Sequence, residues 1–254
     1  MSEPNKSLDI LGVKPIANAI ETVTKGAVDG AAAFLSRICL PAAEEFGLLF
    51  RDRVSAWRAS HATAITNRAQ AMLDSEPHDA PVHAHPRIVA GVIELGSWTE
   101  AEEVQQMWSG LLASACTTDG RDDSNLMFVD LLSKLTTSQA RLFDYVCQQA
   151  KKWVFPNGLL MADEFFMGLD DLKQVTGIVD LHRLDLELDH LRTVGILNEQ
   201  AGGFTTASVD ANATPSALAL QMYARCQGYR GDPILFYGAK PLPPEETTAT
   251  QPSA

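Results

Sequence analysis

The sequence lacks an apolar run of the length that a membrane-spanning helix needs, which is roughly 20 residues. The best stretch, residues 31–40, follows Asp29, contains Arg37 and ends before Pro41. The first residues, MSEPNKSLDILG, have no cationic segment leading into an apolar one, as a secretory signal would. We therefore expect a cytoplasmic protein without a transmembrane helix.

Cysteine is scarce, and the four that occur are far apart in the sequence: Cys39, Cys116, Cys147 and Cys226. Zinc clusters and redox pairs need closely spaced thiols, so this spacing argues against both kinds of site. Each cysteine has apolar or helix-forming neighbours, as a buried thiol does. We expect four buried free thiols.

Basic residues are in deficit, with 20 Lys and Arg against 32 Asp and Glu, which gives a formal net charge of -12. Affinity for nucleic acid depends largely on Lys and Arg side chains that neutralise phosphates. The composition therefore predicts that nucleic acid is not a partner.

Sequence motifs of the common catalytic classes are also missing. The chain has no GxSxG elbow, no Walker loop, no HExxH and no dinucleotide-binding fingerprint. The sequence therefore predicts no catalytic residue, no metal ligand and no cofactor, in a protein that is not an enzyme.

Two histidine clusters leave an enzymatic alternative open. His83 and His85 form an H-x-H pair in a proline-rich stretch, with Asp79 as the near candidate for a further ligand. His182 and Asp185 share one face of a predicted helix. A concealed hydrolase or nuclease would use these groups, whereas in a non-catalytic protein they are the solvated side of a loop and a helix.

The chain is rich in helix periodicity, and 46% of its residues are apolar, enough for a core. The spacing predicts a small-residue helix ending at Leu40, a helix of about 30 residues from Pro41 to Leu73, and four shorter helices. Two helices, a β-hairpin with its strands in ILNEQ and FTTASVD, and a last helix follow, as in winged-helix-like units. The predicted fold class is mainly α, with these ranges: a flexible leader, 1–13; a helical hairpin with one long amphipathic helix, 14–76; a helical bundle, 85–152; a winged-helix-like unit, 153–238; and a disordered tail, 239–254.

Capping residues predict where two of the bundle helices begin. Thr99 followed by Glu102 is a capping-box pattern, so a helix is predicted to begin there. Thr137 or Ser138 is the predicted N-cap of a later helix.

Several segments resemble the abortive infection alpha (Abi-alpha) family. They are ICLPAAEEFG, HPRIVAGVIELGSW, EAEEVQQMWSGLLASA and FVDLLSKLTTSQARLFDYV, followed by GIL and ATPSALALQMYARC. The resemblance covers Leu40 to Cys226, and its motifs are packing patterns that supply no catalytic residues. The family's association with bacterial resistance to phages implies a defence role for this chain.

The leading hypothesis is an anti-phage protein of abortive-infection type that acts through contacts with a phage or host protein. The predicted contact residues are charged side chains expected on exposed helix faces: Arg51, Arg58 and Arg68 on the long helix, and Asp185 and Asp189 in HRLDLELDH. The acidic character of the second helix disfavours DNA as its partner. The alternative is a membrane-perturbing effector, whose N-terminal helical hairpin meets a bilayer only on activation.

The long helix also predicts self-association. Its apolar face contains Phe46, Phe50, Trp57, Ile65 and Met72, and its length of about 45 Å exceeds the breadth of a small subdomain. Because the bundle covers only part of such a face, we expect a homo-oligomer, most simply a two-fold dimer through this helix.

Overall fold

The computed structural model describes residues 29–39, 56–75, 80–200, 204–205 and 208–242. The chain forms two compact units: unit 1 is Met1–Lys134 with Arg225–Arg230, and unit 2 is Leu135–Ala224 with Gly231–Ala254. Short helices dominate both units, and the sheets have only two or three strands. The predicted mainly α fold class is confirmed.

This division differs from the predicted domain ranges. The hairpin predicted at 14–76 and most of the bundle predicted at 85–152 fall into unit 1 together. The last bundle helix belongs instead to unit 2, where it packs against the helices that follow it. Residues 1–28 and 40–55, which include about half of the predicted hairpin, lie outside the described residues, as does the predicted tail from residue 243.

Unit 1 is a group of helices with one small antiparallel ribbon. Residues 29–38 are helical (α1), which agrees with the helix predicted to end at Leu40. The other elements of unit 1 are α2 (Ala56–Asp74), β1 (His83–Ala84), α3 (Pro86–Gly96), α4 (Glu102–Ser114), β2 (Cys116–Thr117) and α5 (Leu126–Ser133). Strand β1 pairs with β2, so the stretch predicted as a plain loop contains a short strand.

The core of unit 1 lies where α2 packs along α4. Ile65 of α2 is fully buried, and Trp108 of α4 is almost so. Gly96 allows this approach, since a Cβ at that position would lie 3.0 Å from Trp108 Cγ and 3.1 Å from Ile65 Cδ1. The described half of the long helix is thus covered by its own chain at Ile65, and the dimer expected from that face stays a prediction.

Gly110 lies at a close approach of two chain segments in unit 1. A Cβ built on this residue of α4 would lie 1.8 Å from the carbonyl oxygen of Cys226. Contacts below about 3.0 Å do not occur between a real Cβ and backbone, so only glycine fits here. The segment after Cys226 therefore lies directly on α4.

The predicted N-caps of both helices are wrong by one or two residues. Helix α4 begins after Ala101, without a side-chain cap, while Thr99 lies in the preceding turn. There the carbonyl oxygen of Thr99 accepts a hydrogen bond from Gln105 Nε2 at 2.8 Å. This bond, and not a capping box, holds the turn before α4. For the later helix the N-cap is Thr136, whose capping box is completed by Gln139.

Unit 2 begins with α6 (Thr137–Gln149), and α6 packs against the two helices that follow it in the chain. Its remaining elements are β3 (Lys152–Val154), β4 (Leu160–Ala162), β5 (Phe166–Met167), α7 (Leu169–Thr176), α8 (Leu181–Thr193), β6 (Phe204–Thr205), β7 (Ser208–Asn212), α9 (Ala217–Cys226, whose last two residues belong to unit 1), α10 (Pro233–Tyr237) and β8 (Lys240–Pro241). The strand orders are β4-β3-β8 and β5-β7-β6. The strands of the predicted hairpin are wrong: β6 and the beginning of β7 both lie in FTTASVD, which was predicted as a single strand, and they pair with each other.

Two local devices set the direction of α8. Helix α7 ends at Gly177, whose φ of 72° lies in the left-handed region that glycine adopts without strain. Asp180 then caps α8, because its Oδ1 accepts a hydrogen bond from the backbone N–H of Arg183 at 2.8 Å. The turn between α7 and α8 is therefore short and fixed at both ends.

Candidate functional site

Helix α8 carries two of the predicted contact residues, Asp185 and Asp189. The side chains that are buried on one side of the helix determine which residues are exposed on the other. The leucine spacing predicts a buried stripe of Leu181, Leu184, Leu188 and Leu191. The last three are buried, but the prediction is wrong for Leu181, which is 46% exposed. The three buried side chains anchor α8 in unit 2. Leu186, which lies between them, is turned outward, whereas Glu187 is buried.

The outward side of α8 is apolar as well as acidic. Leu186 is 68% exposed, and Val179 and Leu181 at the beginning of the helix are also exposed. Asp185 and Asp189 are half-buried rather than fully exposed. At helical spacing His182, Leu186 and Asp189 form one row, with Asp185 beside it. We call these four residues the outer stripe.

The two arginines of α8 are engaged by acids of the same helix. Arg183 Nε lies 3.5 Å from Glu187 Oε1, and Arg192 forms an ion pair with Asp189. Such pairs three or four residues apart stabilise a helix by a few tenths of a kcal/mol. They also neutralise the two positive charges of α8, which a phosphate-binding helix would direct at its ligand.

A buried polar network holds α8 against the beginning of α6. Glu187 is almost fully buried and accepts a hydrogen bond from Thr136 Oγ1 at 3.1 Å. The side-chain amide of Gln139 donates to the carbonyl oxygen of Glu187 at 3.3 Å and also contacts His190 Nδ1. Buried polar groups are costly unless they are bonded, so this network specifies one position of α8 on α6.

The predicted exposure of Arg58 is wrong. Its side chain is buried, with the residue only 7% exposed, and Nε and Nη2 donate to Ser97 Oγ at 3.0 and 2.9 Å. Nη2 also donates to the carbonyl oxygen of Glu94 at 2.9 Å. The end of α3 supplies these acceptors, and so it draws the guanidinium inward.

The other two arginines of the long helix give different outcomes. Arg68 reaches from α2 to α4, where Nη1 donates to Gln105 Oε1 at 3.0 Å and Nη2 to Glu102 Oε1 at 2.8 Å. It therefore joins two helices of its own unit, and a role in binding a partner stays a prediction. Arg51 lies outside the described residues.

In the proline-rich stretch, His83 and His85, which the enzymatic alternative would use, contact backbone atoms. His83 Nδ1 lies 3.3 Å from the carbonyl oxygen of Arg37, and His85 Nδ1 accepts from the N–H of Arg87 at 3.3 Å as the N-cap of α3. Over the residues that the structure describes, no group of three His, Cys, Asp or Glu side chains could hold a metal ion. Asp79 lies outside those residues.

The four cysteines are buried free thiols, as predicted. Burial raises the pKa of Cys116 to about 12 and raises the pKa of Cys39 as well. Since the thiolate is the reactive form of cysteine, these two side chains are poor nucleophiles at neutral pH.

Unit 1 contains a cavity of about 390 Å³ between the ends of α1 and α2 and residues 80–82. Its size lies within the range of small-molecule pockets, roughly 300–1,000 Å³. Arg37 and Asp74 are the charged residues of a lining that is otherwise apolar and contains Ile38, Leu73, Ala80, Pro81 and Val82. Among the lining residues that the structure describes, the Asp74 carboxylate is the one group that could act as a base.

Comparison with known proteins identifies the class and then the family of the chain. The molecule is a mainly helical protein with two compact units, and a family model described as "Abortive infection alpha" matches its residues 60–214. This match spans more than half of the 254 residues, and it includes all of α8. The chain belongs to the abortive infection alpha family. No curated protein and no solved structure matches it.

In the described residues, no helix is both long and apolar enough to cross a bilayer.

Proposed function

We propose that this chain is a cytoplasmic anti-phage defence protein of abortive-infection type, which acts by binding another protein rather than by catalysis. Membership of the abortive infection alpha family supports the defence role. The proposed contact surface is the outer stripe of α8 with the exposed residues Val179 and Leu181. The proposed partner is a phage or host protein.

The exposure of Leu186 is the observation that supports this choice of surface. A leucine that is 68% exposed lies between two half-buried acids on a helix whose arginines pair within the helix. Apolar side chains next to acids suit a protein partner, because burying an exposed leucine contributes about 1.5–3 kcal/mol. The same face would repel the phosphates of DNA.

The order of elements supports a winged-helix interpretation of unit 2. Helix α6, strand β5, helices α7 and α8 and the hairpin β6–β7 follow one another, and β7 lies between β5 and β6. In DNA-binding proteins of this kind, the second helix of the pair enters the major groove. Here α8 has that place and an acidic, leucine-bearing surface, so the proposal assigns the helix to protein recognition.

Plating phages on bacteria that express the chain tests this proposal. We expect a reduced plating efficiency for at least one phage of a broad panel, relative to an empty vector. The double variant His83→Ala with His85→Ala should protect as well as the wild type, since both positions lie outside the outer stripe. A protective wild-type chain whose double variant is inactive, although folded, would favour the hydrolase or nuclease instead.

A further inference from the structure

Two of the four tryptophans of the chain lie side by side on the surface of unit 1. Trp57 is 44% exposed and Trp98 is 59% exposed, and their ring centroids are 6.1 Å apart. Leu95, which is also exposed, lies one turn before Trp98 at the end of α3. We call these three residues the Trp57–Trp98 surface. Trp108 of the same unit is buried, so the exposure of the other two is a property of their place in the fold.

Buried hydrogen bonds hold the Trp57–Trp98 surface in position from below. The guanidinium of Arg58 lies 4.2 Å from the centre of the Trp98 ring while it donates to Ser97 Oγ and the Glu94 carbonyl. On α2, the ring of Trp57 meets the ring of His61 edge-on at 4.6 Å, and His61 Nδ1 lies 3.2 Å from the carbonyl oxygen of Ser97. Surfaces held in this way lose little side-chain entropy when they bind, which favours affinity.

The charges beside this surface are acidic. Glu94 and Glu100 are exposed and lie four residues before and two residues after Trp98. Glu94 Oε2 lies 3.3 Å from Arg58 Nη2, which neutralises part of its charge, so Glu100 is the principal negative charge beside the rings. A second copy of the chain, packed about a two-fold axis, would bring these carboxylates close to their own equivalents. A basic partner would instead neutralise them, and the net charge of -12 would attract it from a distance.

We propose that the Trp57–Trp98 surface binds a protein segment in which Lys or Arg side chains alternate with aliphatic ones. The aliphatic side chains cover the two indole rings and Leu95, and the cations pair with Glu100 or lie over the indoles. Tryptophan is enriched among the residues that dominate the affinity of protein interfaces. The proposal rests on this surface alone, independently of α8 and of phage defence.

Peptide titration of the full chain tests the proposal. The probe is a labelled synthetic peptide of about 16 residues in which Leu and Lys alternate, so that the extended peptide has one apolar face. Two matched peptides replace every Lys by Glu or every Leu by Ser. Fluorescence anisotropy at physiological ionic strength measures the dissociation constants, because weak long-range attraction is screened there.

We expect micromolar binding of the Leu/Lys peptide and at least tenfold weaker binding of both matched peptides. Trp98→Ala should weaken the Leu/Lys complex about tenfold, which corresponds to about 1.4 kcal/mol. Met127→Ala, which removes an exposed apolar side chain elsewhere in unit 1, should leave it unchanged. Glu100→Lys should also weaken binding, and it does so without touching the bonds of Arg58, so the test survives if Trp98→Ala fails to fold.

Three results would overturn the proposal. The first is equal affinity of the wild-type chain, Trp98→Ala and Glu100→Lys for the Leu/Lys peptide. A second is a wild-type dimer in light scattering that Trp98→Ala converts to a monomer, since a second copy then covers the surface. The third is Trp98-dependent binding to phosphatidylglycerol vesicles together with no preference among the peptides, which would assign the surface to a membrane.

Discussion

Helices α2 and α8 both carry charged residues at helical spacing, yet the fold uses these charges in opposite ways. On α2, Arg58 is buried beneath the end of α3 and Arg68 bridges to α4. On α8, Arg183 and Arg192 pair with acids of their own helix, and the apolar Leu186 is exposed beside them. A charged residue on a helix therefore does not by itself mark the face that meets a partner.

The availability of acceptors on neighbouring elements explains the difference. The last turn of α3 offers a buried hydroxyl at Ser97 and a carbonyl at Glu94, and Gln105 of α4 offers a side-chain oxygen. Arginine has five donors in a planar fork, so it binds such a set of oxygens in preference to water. The acids three and four residues away along α8 engage its arginines locally instead.

The first prediction concerns Gly110, where we expect a substitution to cause the largest loss of stability. Gly110→Ala would place a methyl group against the backbone of Cys226, so we expect a loss of about 3 kcal/mol or more in the free energy of unfolding. Urea denaturation followed by tryptophan fluorescence measures the loss. Gly30→Ala is the matched control, because nothing lies within 4 Å of its Cβ, and it should stabilise helix α1 by about 0.5–1 kcal/mol. Equal stability of the two variants would show that the segment after Cys226 does not lie on α4.

The second prediction concerns the buried arginine. Arg58→Ala removes several charge-assisted hydrogen bonds and leaves the Ser97 hydroxyl without its donor, so we expect a loss of about 2–3 kcal/mol in the free energy of unfolding. Arg58→Lys should recover only part of it, since an ammonium group lacks the planar fork. The control is Arg87→Ala, whose exposed side chain lies 3.7 Å from Asp123, and it should cost less than about 0.5 kcal/mol. A loss no larger for Arg58→Ala than for Arg87→Ala would contradict the buried position.

The sequence predicted the fold class and the burial of Leu184, Leu188 and Leu191, because each depends on a local pattern. It misplaced the strands of the hairpin and wrongly predicted that Leu181 is buried. It did not predict the burial of Arg58, since that depends on Ser97, 39 residues away in the chain. Leu186 was missed as well, although one signal was present: it lies outside the spacing of Leu184, Leu188 and Leu191. The prediction of Thr99 as an N-cap is wrong. The Gln105 side chain donates to the Thr99 carbonyl oxygen, and this bond holds the turn before α4.

The third prediction concerns the buried polar network that holds α8. Glu187→Ala breaks the buried network with Thr136 and should lower the free energy of unfolding by about 1–2 kcal/mol. Asp189→Ala removes a partly exposed ion pair on the same helix, so its cost should be only a few tenths of a kcal/mol. Denaturation of both variants in parallel measures the difference. Equal losses would mean that α8 is not held by its buried polar side.

The smallest expected effect is a difference in titration between the two units. In unit 1, hydrogen bonds from the backbone and side chain of Ser124 lower the pKa of Asp122 from its ordinary value of 3.8, whereas in unit 2 burial raises the pKa of Asp144. In the window below 3.8, the folded state has released the Asp122 proton first, so this group adds stability as the pH rises. In the window above 3.8, the folded state still holds the Asp144 proton, so this group removes stability as the pH rises.

Carbon-13 chemical shifts of the two carboxyl groups measure these pKa values directly. We expect midpoints on opposite sides of 3.8, below it for Asp122 and above it for Asp144. Asp144→Asn should abolish the loss of stability in the upper window, and a midpoint of Asp144 below 3.8 would contradict its burial.

Phage plating with a surface variant of α8 tests the central proposal most directly. The variant is Val179→Ser with Leu186→Ser, and its matched control is Leu235→Ser, which replaces an equally exposed leucine on α10 of the same unit. Circular dichroism first establishes that both are folded. The account predicts that the α8 variant loses protection against a phage that the wild-type chain blocks, while the control keeps it. Full protection by the α8 variant would contradict the assignment of this surface to the partner.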